Sequence, residues 1–291
     1  MEYKYDLMNV IQQKFQRLSK GQKLIAEFIL KHYDKAAFMT AAKLGNSVGV
    51  SESTVVRFAN ELGYEGYPEL QKALQELIKT KLTTVQRIEL SSDVINENNT
   101  LKSVLKADIE NIKASLDKID NNEFEEIISK ILSAKKIYII GSRSSTTLAE
   151  FLGFYLNFIL DNVRVVSHSI SDIFEQIFRL DKDDLIIGIS FPRYSSRTVE
   201  ALRYAKSNGA TVVALTDSLL SPLASEADYT LLAQSNMASF VDSLVAPMSV
   251  INALIVGVGM REKISISKYF EKLENIWDKN KVYIDRNKSG Q

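Results

Sequence analysis

The stretch KIYIIGSRSSTTLAEFLGFYL, residues 136–156, joins an apolar run to a helix-like segment through a glycine. A continuous apolar run of this length is typical of a strand that is buried on both faces of a parallel sheet. From residue 122 onward, strand candidates alternate with helix candidates. The strand candidates are 136–141, 163–167, 184–190, 211–216 and 229–233, and the helix candidates are 144–160, 170–179, 196–208 and 241–260. This alternation predicts an α/β domain with a doubly wound sheet.

The length and charge of the chain limit the classes of protein to which it can belong. A chain of 291 residues is long enough for about two domains. Its 36 basic residues balance its 36 acidic residues, so the whole chain carries no nucleic-acid signature. Residues 1–87 alone carry 13 basic and 9 acidic residues, and this local net charge of +4 weakly favours DNA contact.

The chain contains no cysteine, which excludes a disulfide framework, a thiolate nucleophile and a cysteine-based zinc site. The amino terminus lacks the apolar core of a signal peptide, and we expect a cytoplasmic protein. Residues 243–260 are uncharged, but serine, proline and glycine interrupt them, which predicts a buried helix and no membrane span. The two histidines are remote and the carboxylates scattered, so we expect neither a metal site nor a cofactor.

The predicted organisation is an all-helical domain over 1–80, a polar linker over 81–99 and a second domain over 100–291 with its core at 128–262. The second domain opens with an amphipathic helix. Its apolar stripe consists of Leu101, Val104, Leu105, Ile109, Ile112 and Leu116. Such a stripe must be buried, either against the second domain or against a twin chain.

Residues 41–62 fit two short helices that are joined by a turn at Gly49, with Ser51 or Ser53 as the cap of the second helix. This is the helix-turn-helix arrangement, in which the start of the second helix reaches base edges in a major groove. The DNA-binding candidates are Ser51, Ser53, Thr54, Arg57 and Asn60. A small helical bundle with a solvated polar face would show the same periodicity.

The sequence detail favours the DNA-binding interpretation, because residues 44–70 resemble the helix-turn-helix of the RpiR/MurR family of bacterial transcription regulators. The family hallmark runs LA…GVS.STV.RF…LG..GY.EL. The matching residues are Leu44, Gly49, Val50, Ser51, Ser53, Thr54, Val55, Arg57, Phe58, Leu62, Gly63, Gly66, Tyr67 and Leu70. One departure is Gly45, where the family usually has alanine.

Two polar loops follow strand candidates in the second domain, and loops at the carboxyl ends of such strands bind ligands in open α/β sheets. The first loop contributes Ser142, Arg143, Ser144 and Ser145, and the second contributes Ser190, Arg193, Ser195, Ser196 and Thr198. Hydroxyls, arginines and the starts of helices suit a phosphate or carboxylate on a polyol. Taken singly, each loop could merely cap its helix.

Taken together, the loops resemble the SIS domain, a sugar isomerase fold, over about 128–262. The run from Ser195 to Glu200 matches the family's S-G-x-T-x-E, and SPLASEADYTLL (221–232) matches a second motif. The resemblance implies a five-stranded parallel sheet, a dimer and a phosphosugar effector, with Glu200 among the candidate ligand-binding residues. Arg143 replaces a family glycine, and Arg193 belongs to a longer second loop. Each guanidinium could pair with an acidic group on the effector, or fold outward or pair with Glu150, Glu175 or Glu200.

The resemblances imply a DNA-binding transcriptional regulator of carbohydrate metabolism genes, modulated by a phosphorylated or acidic sugar. The expected partners are a double-stranded operator, that sugar, and further copies of the chain in a homodimer or higher even oligomer. The alternative is an aldose–ketose isomerase, for which His168 or Glu200 could supply a base, whereas His32 lies in the helical domain. A DNA-reading module favours a regulator without catalytic residues. An interaction scaffold is a third possibility, but it leaves the paired loops and Arg57 unexplained.

Overall fold

The computed structural model describes residues 7–81, 83–92, 99–167, 171–237, 239 and 241–283. The chain forms two compact units that divide between Leu90 and Ser91, inside the segment that the sequence suggests as a linker. His168, the possible isomerase base, lies outside the described residues.

The N-terminal unit is helical, as predicted. Its elements are α1 (Leu7–Lys14), a 3₁₀ turn (Phe15–Arg17), α2 (Lys20–Ala36), α3 (Ala41–Val48), α4 (Glu52–Leu62), α5 (Tyr67–Lys81) and α6 (Thr84–Ser92). Helix α6 lies in the segment 81–99, where the irregular sequence predicts no helix.

Helices α3 and α4 form the predicted helix-turn-helix. Gly49 ends α3 with φ at +74°, a conformation that suits glycine because it has no Cβ. Leu44 of α3 and Val55 and Phe58 of α4 are fully buried, so the helices pack by apolar contact. At Gly45, a Cβ would lie 2.7 Å from the Val50 carbonyl oxygen, so this turn approaches α3 more closely than alanine would allow.

Helix α5 is anchored to the chain that precedes α3. The Tyr67 hydroxyl donates a hydrogen bond to the Met39 carbonyl at 2.7 Å, and Gln71 Nε2 donates to the same oxygen at 2.8 Å. Burial raises the pKa of Tyr67 to about 12, so the hydroxyl remains a donor through the neutral range.

The C-terminal unit contains the predicted parallel sheet of five strands, in the order β2-β1-β3-β4-β5. The strands are β1 (Ile137–Gly141), β2 (Val163–Val166), β3 (Leu185–Ile189), β4 (Thr211–Thr216) and β5 (Tyr229–Leu232). Each strand lies within its predicted range. The strand order reverses between β1 and β3, and a crevice for ligands forms at such a switch point.

Helices cover both faces of this sheet. The helices are α7 (Thr100–Leu116), α8 (Asn121–Ser133), α9 (Ser144–Ile159), α10 (Ile173–Ile177), α11 (Ser196–Ser207), α12 (Val245–Arg261) and α13 (Lys263–Asn280). Alternate residues of β1 face opposite cores: Ile137 and Ile139 pack with α8, α9 and α12, whereas Tyr138 and Ile140 pack with α10 and α11. The doubly wound fold is therefore confirmed.

Helix α12 contains most of the uncharged stretch 243–260 and buries one face in the core through Val250, Ile251, Leu254 and Val258. Within the described part of the chain, no helix has the length and hydropathy of a membrane span.

Helix α7 packs on its own unit with its polar side and leaves most of its apolar side exposed. Five of the six residues of its apolar stripe, Leu101, Leu105, Ile109, Ile112 and Leu116, remain 39–74 % exposed, and the sixth, Val104, is half-buried. The buried residues of α7 are instead the polar Asn111 and Ser115. Of the two expectations for the stripe, burial against the second domain is therefore wrong.

Candidate functional site

The two predicted ligand loops meet at the switch point of the sheet. Ser142 directly follows β1 and Ser190 directly follows β3, and these strands are hydrogen-bonded neighbours. The Ser142 hydroxyl lies 3.2 Å from the Thr198 hydroxyl, which joins the loop after β1 to the start of α11. Thr198 and Ser190 are buried, so these hydroxyls belong to the floor of the crevice.

The second loop is held by serine hydroxyls that cap its helix. Ser190 Oγ accepts a hydrogen bond from the Ser195 backbone N–H at 3.1 Å, and Ser195 Oγ accepts one from the Thr198 N–H at 3.3 Å. The capping role considered for these residues is therefore present at Ser195. Capping orients the loop and directs the free N–H groups at the start of α11 toward the crevice.

The two arginines that the sequence analysis singles out have backbone conformations that glycine favours. Arg143 has φ at +57° with ψ at −126°, and Arg193 has φ at +69°. Such conformations cost a non-glycine residue about 1–3 kcal/mol. Both side chains are exposed, and among the described residues the Arg143 guanidinium makes no hydrogen bond or ion pair. For Arg143, pairing with Glu150, Glu175 or Glu200 is thus not observed.

The remaining predicted ligand residues differ in their exposure. Ser144 and Ser196 are exposed at the first residues of α9 and α11, where helix N–H groups are unpaired. Ser145 is buried, and its backbone N–H donates to the Ser142 carbonyl at 3.2 Å. Glu200 is exposed, one turn into α11.

The sequence analysis missed a polar contact on the β4 side of the crevice. Asp217, which follows β4, is buried, and its Oδ1 accepts a hydrogen bond from the Tyr194 hydroxyl at 2.8 Å. Thr216 is also fully buried. The signal was present, because a Thr-Asp pair ends the apolar run TVVALT at the same sheet edge as the two loops.

The predicted DNA-binding face lies at the start of α4. Ser51, Ser53, Arg57 and Asn60 are exposed. Ser51 is the N-cap residue, but its hydroxyl contacts those of Ser53 and Thr54, each at 2.9 Å, instead of capping the backbone. Arg57 folds back along the helix, with Nε donating to the Ser53 carbonyl at 3.2 Å.

Thr54 departs from the predicted outward position. It is half-buried, and its methyl group faces α2, where a Cβ added at Gly21 would lie 3.4 Å away. A β-branched side chain can pack its methyl inward while its hydroxyl stays at the surface. The hydroxyl still contacts Ser51, so the polar cluster at the start of α4 is kept.

Comparison with known proteins agrees with this architecture. The model for the helix-turn-helix domain of the rpiR family matches residues 5–81, and the SIS domain model matches residues 130–257. An uncharacterized HTH-type transcriptional regulator of Haemophilus influenzae is 30 % identical over 236 residues, or 78 % of this chain and 79 % of the relative. The chain belongs to the RpiR family of transcriptional regulators.

Solved structures of similar proteins include the sugar isomerase domain of an RpiR transcription factor from Sphaerobacter thermophilus. It is 29 % identical, with a TM-score of 0.59, and the match covers 61 % of this RpiR-family chain and 99 % of that one. The NanR protein of Vibrio vulnificus, solved in complex with ManNAc-6P, matches 94 % of this chain and 98 % of its own. At 20 % identity and a TM-score of 0.57, NanR shows a common fold.

Proposed function

We propose that this RpiR-family regulator binds a DNA operator through α4 and that a phosphorylated or acidic sugar at the β1–β3 crevice modulates its affinity. The contact between Ser142 and Thr198 carries the effector half of the proposal, because it joins two hydroxyl-rich helix starts at one switch point. The ManNAc-6P complex of NanR, which has the same fold, supports a sugar phosphate as the ligand class.

The electrostatics of the crevice support an anionic ligand. Arg143 and Arg193 are exposed residues of the two loops, and a guanidinium offers a planar fork that fits phosphate or carboxylate. The N-terminal ends of α9 and α11 add partial positive charge. On the β4 side, the hydrogen bond from Tyr194 to the buried Asp217 holds the second loop next to the strand end.

The test of this function uses the full chain and a duplex that it selects from a random DNA library. Fluorescence anisotropy then measures duplex affinity with and without ManNAc-6P, glucose 6-phosphate, 6-phosphogluconate and gluconate. We expect at least one compound to change the affinity by fivefold or more, which corresponds to a coupling of about 1 kcal/mol. Failure to select any duplex, or no response to a wider set of sugar phosphates, would contradict the proposal.

Arg143→Gly is expected to change stability and ligand affinity in opposite directions. Glycine relieves the positive φ, so the free energy of unfolding should rise by about 1 kcal/mol after the entropy of glycine is deducted. Sugar-phosphate affinity should fall about tenfold with the loss of a charged donor. Urea unfolding and calorimetric titration measure the two effects.

The control for this prediction is Arg179→Gly, at an exposed position without a positive φ. The Arg179→Gly protein should lose about 0.5–1 kcal/mol of its free energy of unfolding and should bind sugar phosphate with unchanged affinity. An Arg143→Gly protein that is less stable and binds equally well would show that neither strain nor charge acts as argued.

We propose that the exposed stripe of α7 pairs with a second copy of the chain. Helix α12, which packs beside α7, also exposes the apolar residues Val256 and Met260. Burying a half-exposed leucine or isoleucine yields about 1 kcal/mol, so ten stripe residues in a symmetric pair yield about 10 kcal/mol. Association itself costs about 4–15 kcal/mol, so the stripe and α12 together suit a dimer.

Ile109→Glu is expected to convert the protein to monomers, because it introduces a carboxylate at the centre of the stripe. Lys106→Glu introduces the same carboxylate and also removes a positive charge, at an exposed site outside the stripe, and should leave the oligomer intact. Sedimentation velocity measures both. An Ile109→Glu protein with the sedimentation of the native chain would exclude α7 as the interface.

An isomerase remains the second candidate function, since other proteins of the SIS fold do that chemistry. NMR of the pure protein incubated with hexose and pentose phosphates distinguishes the two. We expect no interconversion of aldose and ketose forms, and turnover would favour the enzyme.

A further inference from the structure

Helix α7 is attached to its own unit by a short run of polar contacts. Ser115 Oγ accepts a hydrogen bond from the Gln234 backbone N–H at 2.8 Å and donates to the Asn111 carbonyl at 2.7 Å. The Asn111 side chain exchanges hydrogen bonds with the Asn236 backbone, at 3.0 Å to its carbonyl and 3.2 Å from its N–H. One attachment point is therefore the segment that follows β5, at the carboxyl edge of the sheet. A second lies beside α12, which packs against α7 and where the Ser243 hydroxyl donates a hydrogen bond to Asp108 Oδ1 at 2.6 Å.

The same segment is linked to the ligand crevice. Gln234 is buried, and its Nε2 donates a hydrogen bond to the Asp217 carbonyl at 2.9 Å. The Asp217 side chain accepts the hydrogen bond of Tyr194, which lies in the ligand loop between Arg193 and Ser195. Three consecutive contacts thus run from the ligand loop to α7, by way of Asp217 and Gln234.

We propose that Gln234 couples the ligand crevice to α7, so that a change in the Tyr194–Asp217 contact loosens or tightens the attachment of the helix. Gln234 is a positioning residue: it contacts Asp217 through its side chain and Ser115 through its backbone. A sugar that takes over the hydrogen bonds of Tyr194 or Asp217 would shift Gln234. The sugar-dependent part of this inference rests on the proposed function, whereas the coupling itself does not.

The coupling depends on which contacts hold α7 to its unit. Its apolar stripe faces outward, so packing against α12 and the buried hydrogen bonds together hold the helix to the unit. Each buried hydrogen bond contributes modestly, but leaving its partner unsatisfied costs more. A helix held in this way opens locally in response to the loss of one contact, and it can serve as the two-state element that coupling requires.

Hydrogen–deuterium exchange on the full-length, ligand-free protein tests the coupling. Gln234→Met removes the side-chain bond to Asp217 and leaves the backbone N–H that bonds Ser115. Tyr194→Phe removes only the hydroxyl at the far end of the run. In both variants we expect amide exchange in α7 to accelerate about three- to tenfold, at unchanged far-ultraviolet circular dichroism.

Tyr204→Phe is the matched control, because the Tyr204 hydroxyl bonds the Phe178 carbonyl, outside the run. It should leave exchange in α7 unchanged. Unchanged exchange in Tyr194→Phe, or equal acceleration in Tyr204→Phe, would overturn the coupling even if Gln234→Met failed to fold.

A second arm adds ManNAc-6P, glucose 6-phosphate or inorganic phosphate to the native and Gln234→Met proteins. A probe that binds both should alter exchange in α7 of the native chain and not of the variant. An equal change in the two would overturn the role of Gln234. If none of these probes binds, the doubt falls on the proposed function, and the ligand-free exchange still decides the coupling.

Discussion

Replacing Gly141 with alanine is expected to lower the free energy of unfolding of the C-terminal unit by about 3 kcal/mol and to abolish sugar-phosphate binding. Gly141 ends β1, and a Cβ there would overlap the Ser145 carbonyl oxygen and lie 2.7 Å from its carbonyl carbon. Both atoms belong to the backbone of α9, so the first turn of the helix must move away from the strand. Overpacking of this kind costs about 1–3 kcal/mol, and the cost is highest where backbone has to shift.

The same shift moves Ser142 away from Thr198, so the hydroxyl floor of the crevice is lost together with stability. Urea unfolding followed by the fluorescence of Trp277, the single tryptophan of the chain, measures the C-terminal unit. Thr147→Ala, at an exposed position on α9, is the control and should change stability by less than about 0.5 kcal/mol. A Gly141→Ala protein within 1 kcal/mol of the native one would show that α9 is not fixed against β1.

Arg57→Ala should weaken binding of the selected operator by about 1–3 kcal/mol, or roughly 5- to 150-fold, and relax specificity at one base pair. The side chain is exposed on α4 and hydrogen-bonds Ser53, at the end of the helix that the proposed function places in a major groove. Its guanidinium can leave Ser53 and pair with the two acceptors of a guanine.

Anisotropy titration against the selected duplex and its single-base variants provides the measurement. Lys31→Ala removes one positive charge from an exposed position far along α2 and controls for general electrostatic attraction. Its effect should be small and equal for all duplexes. If Arg57→Ala weakened every duplex equally, Arg57 would contact phosphate and would not read a base.

Much of the fold was predictable because single residues mark its boundaries. Apolar runs located β1, β3 and β4, since a strand buried on both faces must be apolar along its whole length. The edge strands β2 and β5 are only partly buried, and their positions in the strand–helix alternation helped to locate them. Gly49 marked the end of α3, because a left-handed turn selects few residue types. Helix α6 was not predicted, because the periodicity of Thr84–Ser92 is weak, although Thr83 and Gln86 form a capping box at its start.

The candidate site was predictable only in part. The serines and arginines of the two loops were evident from their positions after the strands. Tyr194 and Asp217 are 23 positions apart in the sequence. They meet only because each follows a strand, β3 or β4, and these two strands are neighbours in the sheet. The periodicity of α7 also predicted its apolar stripe, but not whether the stripe faces its own unit or solvent. The inward side of the helix is instead polar, with Asn111 and Ser115 buried.

If the outward stripe of α7 forms a dimer as proposed, the order of the helix depends on protein concentration. In a single chain a few hydrogen bonds help to hold α7, whereas dimerisation would add apolar contacts on the opposite side of the helix. The dimer concentration grows with the square of the monomer concentration. At low protein concentration α7 would therefore be loosely held, and at high concentration it would be firmly held. Cellular abundance would then tune how sharply the regulator responds, without any change in its sequence.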